Sequence, residues 1–294
     1  MMPAFFTQLL EKEYPGEQIR FPETRKTTLR VNTLRSTREE VVSALDGAGI
    51  AHEDIAFSSI AFLLPDASAR DVTALPLFNE GKIYLQSLSA MLPPLVLDPQ
   101  KGDDLLDMAA APGGKTTQMA AMTDNKASIT ACERHPIRAE KLKHNLQLQG
   151  VSCANVMVTD ARQLDDFFSF SRVLLDAPCS GSGTVLENDP SVEKTLTPVL
   201  VKKCRAAQVA LLKKGLKVLK PGGTLVYSTC SILREENEDV VRECLKGVKA
   251  HIAPIELSGL DGLPTLPVTL PGTLCVKPTE EYEGFYVAKI VKDR

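Results

Sequence analysis

From Asp103 onward, short apolar runs alternate with helical stretches, and nearly every run ends in small, acidic or turn-forming residues. Asp104–Ala109 leads into the turn Ala110–Lys115, which opens a helix; Ala127–Cys132 is followed by a helix from Pro136 to Gly150. Ala154–Thr159 and Val173–Ala177 are the next strands. Thr197-Pro198 then opens a long helix, with proline suited to its first turn and Pro221-Gly222-Gly223 stopping it. The spacing sets Leu200, Cys204, Ala207, Ala210, Leu211, Gly215 and Val218 on one side of that helix. Thr224–Ser228 is a fifth strand, Glu235–Lys246 a helix, and strands follow near Leu274–Lys277 and Phe285–Val291. Repeated β-α units of this kind demand an α/β fold with a doubly wound, mainly parallel sheet that binds ligands at the carboxyl ends of its strands. The last strand has no helix before it and is expected to run antiparallel.

The preceding residues read differently. Thr27–Thr33 has strand character, as do the short pieces Ala61–Leu64 and Lys82–Leu85. Ser36-Thr37-Arg38-Glu39 has the form of a capping box, and Val41, Ala44, Leu45 and Ala48 recur at helical spacing until Gly49. A small α+β unit over residues 1–96 and a larger domain over 97–294 are expected, with the junction around Pro93–Gly102. No apolar run is long enough to cross a bilayer and the sequence opens with no basic-apolar-small leader, so a cytoplasmic protein without a membrane partner is expected, as a monomer. Seven cysteines without a Cys-x-x-Cys pair argue against a disulfide framework or a metal site. The net charge of −3 neither advertises nor excludes a nucleic-acid partner, because a local basic face matters more than the sum.

The turn Ala110-Ala111-Pro112-Gly113-Gly114-Lys115-Thr116 follows the first strand of the large domain. Its small residues let backbone amides approach a ligand, and the helix behind it adds its positive end. It is neither the dinucleotide G-x-G-x-x-G fingerprint nor a phosphate-binding P-loop. Glu133 ends the second strand, about 20 residues on, where an acid can grip a ribose diol. Asp160 ends the third, where a carboxylate can accept from an adenine amino group. Together they fit an adenosyl ligand lying across the strand ends; each alone also reads as a helix N-cap or a solvated loop acid.

Two cysteines share this placement. The fourth strand ends in Asp176-Ala177-Pro178-Cys179-Ser180-Gly181-Ser182-Gly183 and the fifth in Ser228-Thr229-Cys230-Ser231, so both thiols stand on the ligand face and are neighbours if these strands pair. Cys132, Cys204 and Cys244 instead fall within a strand or on helices, as core thiols do. A paired thiol site suits methylation of a pyrimidine at carbon 5, which is too weak a nucleophile to attack a methyl sulfonium unaided. A thiolate adding to carbon 6 activates it, and a second group is then needed to release the product. An acid such as Asp176 could hydrogen-bond the ring's N3 or amino edge and favour addition.

The ordered set AAPGGKT, DAPCSGSG and YSTCS, with Arg30–Leu34, Gly81–Gln86, Ser89–Pro94, Glu236-Asn237-Glu238 and Gly284–Lys289, resembles the RNA cytosine-C5 methyltransferases of the Nol1/Nop2/Sun group through most of the chain. The resemblance implies a Rossmann-like class I methyltransferase sheet with an N-terminal RRM-like unit that helps hold RNA. It implies S-adenosyl-L-methionine as the cofactor and ribosomal or transfer RNA as the partner. Cys230 then corresponds to the nucleophile and Cys179 to the cysteine assisting product release, while Asp176 and Lys115 correspond to residues contacting the cytosine. Ala110, Ala111, Pro112, Gly113, Gly114, Lys115, Glu133, Asp160 and Asp176 correspond to cofactor-lining positions, with Arg138 beside the ribose-binding acid.

Departures are few. Alanine stands at Ala109 where cysteine is common, and Cys275 where arginine is frequent; if that arginine meets RNA phosphate, Lys277 is the nearest replacement. No appended RNA-binding domain is expected after Arg294. Methyltransferases of amines or protein amides tend to carry an Asn/Asp-Pro-Pro-aromatic turn after the fourth strand, where this chain has Asp-Ala-Pro-Cys. A non-catalytic RNA-binding factor of the same fold would have lost Cys230 or the glycine turn, and both are intact.

Overall fold

A computed structural model describes residues 2–294. In chain order its elements are α1 (Ala4–Glu13), β1 (Thr27–Val31), α2 (Arg38–Gly47), β2 (Glu53–Ile55), β3 (Ser58–Leu64), α3 (Ala69–Thr73), α4 (Pro76–Asn79) and β4 (Ile83–Leu85). There follow α5 (Leu88–Leu97), β5 (Asp104–Asp107), α6 (Gly114–Met122), β6 (Ser128–Cys132), α7 (Pro136–Leu148), β7 (Ala154–Met157) and β8 (Phe170–Asp176). The chain closes with α8 (Val192–Thr195), α9 (Pro198–Val218), β9 (Leu219–Thr229), α10 (Glu238–Leu245), β10 (Ala250–Ala253), β11 (Leu274–Val276) and β12 (Phe285–Lys292).

The large sheet runs β10-β12-β9-β8-β5-β6-β7. Strands β7, β6, β5, β8 and β9 are mutually parallel, and β12 pairs antiparallel with β9, as the helix-free tail predicts. The strand order reverses at β5, so β6 and β8 lead away from it in opposite directions and leave a crevice at their carboxyl ends. Both faces are covered, which is why these strands read as continuous apolar runs rather than alternating ones. Among the described residues no helix is long and apolar enough to cross a membrane.

The small sheet, β2-β3-β1-β4, is wholly antiparallel and built in β-α-β-β-α-β order. One face packs Leu29, Val31, Phe62, Leu64 and Ile83 against α2, α3 and α4. The other face carries Thr28, Arg30, Ala61 and Leu63, all buried, and turns toward the large domain. Arg30 is fully buried: its Nε donates to Gln86 Oε1 (3.1 Å) and its Nη2 to Thr117 Oγ1 (3.0 Å) on α6. Partnered only by neutral groups, its guanidinium is pulled down to about 10 by burial. An RRM stacks bases on its open sheet face. That face is closed here, so any RNA contact by this unit has to use its helices and loops.

Several local expectations are corrected. The capping box sits one residue later: Thr37 caps α2 by accepting from Glu40 N, and Ser36 Oγ donates to Glu40 Oε2 (2.8 Å). The Pro93–Gly102 junction is largely the buried helix α5, whose Pro93 and Pro94 are shielded by the large sheet and α6. Helix α1 had no signal, yet its Phe6, with Tyr14 and Phe21 beyond it, joins the large domain's core. Thus α1 and α5 lie in the 1–96 stretch but pack on the larger body. Helix α9 begins at Pro198 as expected, and Leu211, Gly215 and Val218 lie on its buried stripe with Val201, Gln208, Leu212 and Leu216, while Leu200, Cys204, Ala207 and Ala210 are only half-buried beside it.

Asn32 clips the two units together. Its Nδ2 donates to the carbonyls of Gly81 (2.7 Å) and of Gln149 (2.8 Å), just beyond α7. Asn32→Ala leaves both buried carbonyls without this donor, an expected loss of about 2–3 kcal/mol. Thermal unfolding should show a midpoint several degrees lower, and an unchanged midpoint would refute the clip.

Candidate active site

The parallel register of β8 with β9 sets Asp176 opposite Ser228. The turns that follow are welded by Ala177 N donating to Ser228 O (2.8 Å) and Gly183 N to Cys230 O (3.0 Å). Gly183 must be glycine: a Cβ there would lie 1.9 Å from Gly284 O at the start of β12. Under these constraints Cys179 Sγ and Cys230 Sγ meet at 3.2 Å. The sequence expectation that the two thiols are neighbours holds in the structure. Contact with Cys230, then burial and the nearby Glu236 carboxylate, push the Cys179 thiol well above the ordinary range. Burial also raises Cys132 to about 12 and Cys204 and Cys244 to about 11, in keeping with inert thiols.

A cleft of about 250 Å³ opens over these strand ends. Glu133, Asp160, Asp176, Cys179, Cys230 and Arg138 all line it, with Met108, Ala161, Pro178 and Leu211 as apolar wall. Each of the two acids makes a local hydrogen bond and also faces the cleft. Glu133 accepts from His135 N (2.8 Å) at the start of α7 and also faces the cleft; Asp160 caps a short 3-10 turn through Arg162 N (3.0 Å) and faces it too. The Arg162 guanidinium holds the Asp160 carboxyl below its usual range. Arg138 stands beside the acid as expected, 3.3 Å from Glu133 Oε2, and donates to Ala111 O (2.7 Å), so it ties the second strand's acid to the glycine turn.

Most of that turn faces a second, adjoining cleft. Ala110, Ala111, Pro112, Gly114 and Lys115 line it together with Asp107, Asp176, Tyr84 and Gln86. Gly113 reaches neither cleft. Its φ of +116° starts α6 from the left-handed region, and a Cβ there would press on Leu142 of α7 at 3.1 Å. Asp176, common to both clefts, accepts from Lys115 Nζ (2.7 Å) and Ser228 Oγ (2.8 Å). Burial alone would pull the Lys115 ammonium down, but Asp176, reinforced by Asp107 and Cys230, holds it above its ordinary value.

Four participants were given no role from sequence. Asp107 ends β5 fully buried, accepts from Thr116 Oγ1 (2.7 Å), and is raised to about 6 by burial. Its strand-end position, matching that of Glu133 and Asp176, was the available signal. Glu236, also fully buried, receives hydrogen bonds from both cysteine turns. Tyr84 and Gln86 bring the small sheet to the site's edge. Cys275, by contrast, is buried beneath α1 with its Sγ 3.9 Å from Tyr14 Oη, and Lys277 pairs with Glu17 (3.1 Å). The side chain at position 275 therefore points into the core.

Residues 94–291 match the family model described as 16S rRNA methyltransferase RsmB/F. The chain is 34% identical to the ribosomal RNA small subunit methyltransferase F of Shewanella loihica, over 91% of this chain and 56% of that protein. It is equally 34% identical to a 28S rRNA (cytosine-C(5))-methyltransferase of Mus musculus, over 97% of this chain and 38% of the mouse protein. The chain thus spans about half the length, or less, of these curated relatives. A methyltransferase homolog of Pyrococcus horikoshii superposes with a TM-score of 0.78 at 32% identity, covering 98% of this chain and 89% of that one. Fold, motif order and these matches agree: the chain belongs to the RsmB/F family of methyltransferases, within the Nol1/Nop2/Sun group.

Proposed function

We propose that this protein transfers a methyl group from S-adenosylmethionine to carbon 5 of a cytosine in RNA through a covalent bond between Cys230 and carbon 6. The observation that carries the reading is the pair of thiols 3.2 Å apart on the wall of a cleft that also presents Glu133, Asp160 and Asp176. The relatives' names favour ribosomal RNA over transfer RNA as the substrate.

The donor set suits the cofactor. Glu133 offers a carboxylate to a ribose diol, Asp160 one to an amino group, and Met108, Ala161 and Leu211 an apolar wall to an adenine face. When bound, S-adenosylmethionine supplies an electrophilic methyl group on a sulfonium sulfur. Cys230 Sγ, as thiolate, bonds to carbon 6 of the ring, and the displaced electron pair makes carbon 5 nucleophilic. Asp176 and Lys115, paired at the mouth common to both clefts, hold the ring's polar edge: the carboxylate accepts from the amino group and the ammonium donates to an acceptor. Release requires the carbon 5 proton to pass to a base, solvent water entering the open cleft. Its bonding pair then forms the ring double bond, and the carbon–sulfur pair returns to Cys230. Cys179, in contact with that sulfur, is the group that assists this step.

Cys230→Ala should abolish methyl transfer, while Cys179→Ala should accumulate protein covalently linked to RNA, visible as a band resistant to denaturing electrophoresis. Free release of methylated RNA by the Cys179 variant at the parental rate would overturn its role. Bisulfite sequencing of RNA from cells with and without the gene should reveal one lost 5-methylcytosine. Glu133→Ala should weaken cofactor binding by about 30-fold, the worth of roughly 2 kcal/mol of lost charge-assisted hydrogen bonding, as read by calorimetry. Since both thiols are recessed in the cleft, the target base must be unpaired or flipped; efficient methylation of an uninterrupted duplex would contradict this.

A further inference from the structure

The two thiols touch, share one cleft and end neighbouring strands, so nothing in their placement alone decides which ionises. The surroundings are not symmetric. Glu236 is fully buried, and its carboxylate is saturated by neutral donors. Oε1 accepts from Ser180 N (2.8 Å) and Gln208 Nε2 (3.2 Å); Oε2 accepts from Ser180 Oγ (2.5 Å) and Ser231 Oγ (2.6 Å). Among the described residues no lysine, arginine or histidine lies within salt-bridge distance of it. The four donors converge on both carboxylate oxygens of a side chain that is buried without a cation. Two of the four come from Ser180, the residue after Cys179, and Gln208 also donates to Pro178 O (2.9 Å), the residue before it.

The opposite charge stands elsewhere. Lys115, on α6, faces the pair from the side of Asp176 and couples to the Cys230 sulfur. The other ionisable groups around the pair are Asp176 on β8, Asp107 on β5, Tyr227 on β9 and Cys204 on α9. Asp176 is matched by Lys115, and Tyr227 is neutral, its hydroxyl donating to Glu236 O (2.6 Å). Asp107 lies toward Lys115, whereas Glu236 has no cation and takes two of its four donors from Ser180 beside Cys179 and one from Ser231 beside Cys230.

We propose that Glu236 is the positioning residue that assigns different roles to the two thiols: its buried negative charge keeps the proton on Cys179, so that Cys230 is the sulfur that becomes thiolate. The assignment rests on the reading of Cys230 as nucleophile and gives it a physical cause. Cys179 retains its S–H and can donate it to the Cys230 sulfur within the same contact. The net also fixes the geometry, since Ser180 and Ser231 are the residues following the two cysteines and Ser182 Oγ lies 2.8 Å from Ser231 Oγ.

The test uses iodoacetamide on the whole protein across a pH series, with mass spectrometry of the two cysteine peptides. It needs neither RNA nor cofactor, so it can fail while methyl transfer stands, and methyl transfer can fail while it succeeds. In the parental protein Cys230 should be alkylated first. In Glu236→Gln, the pH midpoint for Cys179 should fall, and its rate relative to Cys230 at neutral pH should rise about tenfold, the effect of one pKa unit. Glu236→Asp, which keeps the charge, should restore the parental order. An unchanged ratio in the Gln variant, or equal ratios in the Gln and Asp variants, would overturn the proposal. Should the Gln variant not fold, Cys230→Ser provides the second arm. With Glu236 still present, Cys179 should there need a pH above that of a free thiol to react; reaction at or below it would also overturn the proposal.

Discussion

The parallel pairing of β8 with β9 is the constraint on which the site depends. Its register runs from Arg172 opposite Thr224 to Asp176 opposite Ser228 without interruption. A slip of one residue would turn every side chain to the other face of the sheet. Asp176 would leave the crevice and the two cysteine turns would part. The register is held by the core on both sides, where Val173, Leu174, Leu175, Leu225, Val226 and Tyr227 are almost wholly buried. The sulfur contact is therefore a consequence of core packing, transmitted through two short turns and secured by Glu236.

The small antiparallel sheet contributes to the same site from the other direction. Arg30, Asn32 and Gln86 spend their hydrogen bonds on the large domain, reaching α6 and the residues after α7. Its inner face is thereby committed to structure, and it delivers Tyr84 and Gln86 to the second cleft, next to Lys115 and Asp176. The RRM-like unit that the resemblance implied is thus packed through its sheet face onto the large domain. The unit completes the wall of the second cleft, and its helices and loops are the parts that stay exposed.

Where the chain spoke through its sequence, it did so by mechanisms that act locally. Small residues after β5, a proline at the first turn of α9 and acids at strand ends each mark a position that only certain residue types tolerate, and these placed the crevice, the strand-end acids and both thiols. What was not legible depends on tertiary context. Pro93 and Pro94 read as a break, yet α5 accommodates them because Ala90 O, which Pro94 cannot bond, accepts from Gln86 Nε2 (3.1 Å), and Met91 O accepts from Gln118 Nε2 (2.9 Å). Helix α1 is short and weakly patterned, and its place is fixed by Tyr14 Oη donating to Ile232 O (2.6 Å), a contact 218 residues away in sequence. Glu236 stood in the quoted motif Glu236-Asn237-Glu238 without a role of its own; its converging donors from both cysteine turns distinguish it from the equally buried Glu238.

The central claim is that the sulfur of Cys230 bonds to the pyrimidine ring. RNA carrying 5-fluorocytosine at the target position tests it most directly, because carbon 5 then bears fluorine and no proton can leave, so elimination stalls with the bond intact. After incubation with the cofactor, digestion and peptide mapping should recover the methylated base attached to the peptide containing Cys230. Attachment at Cys179, or methylated RNA with no protein attached, would contradict the account.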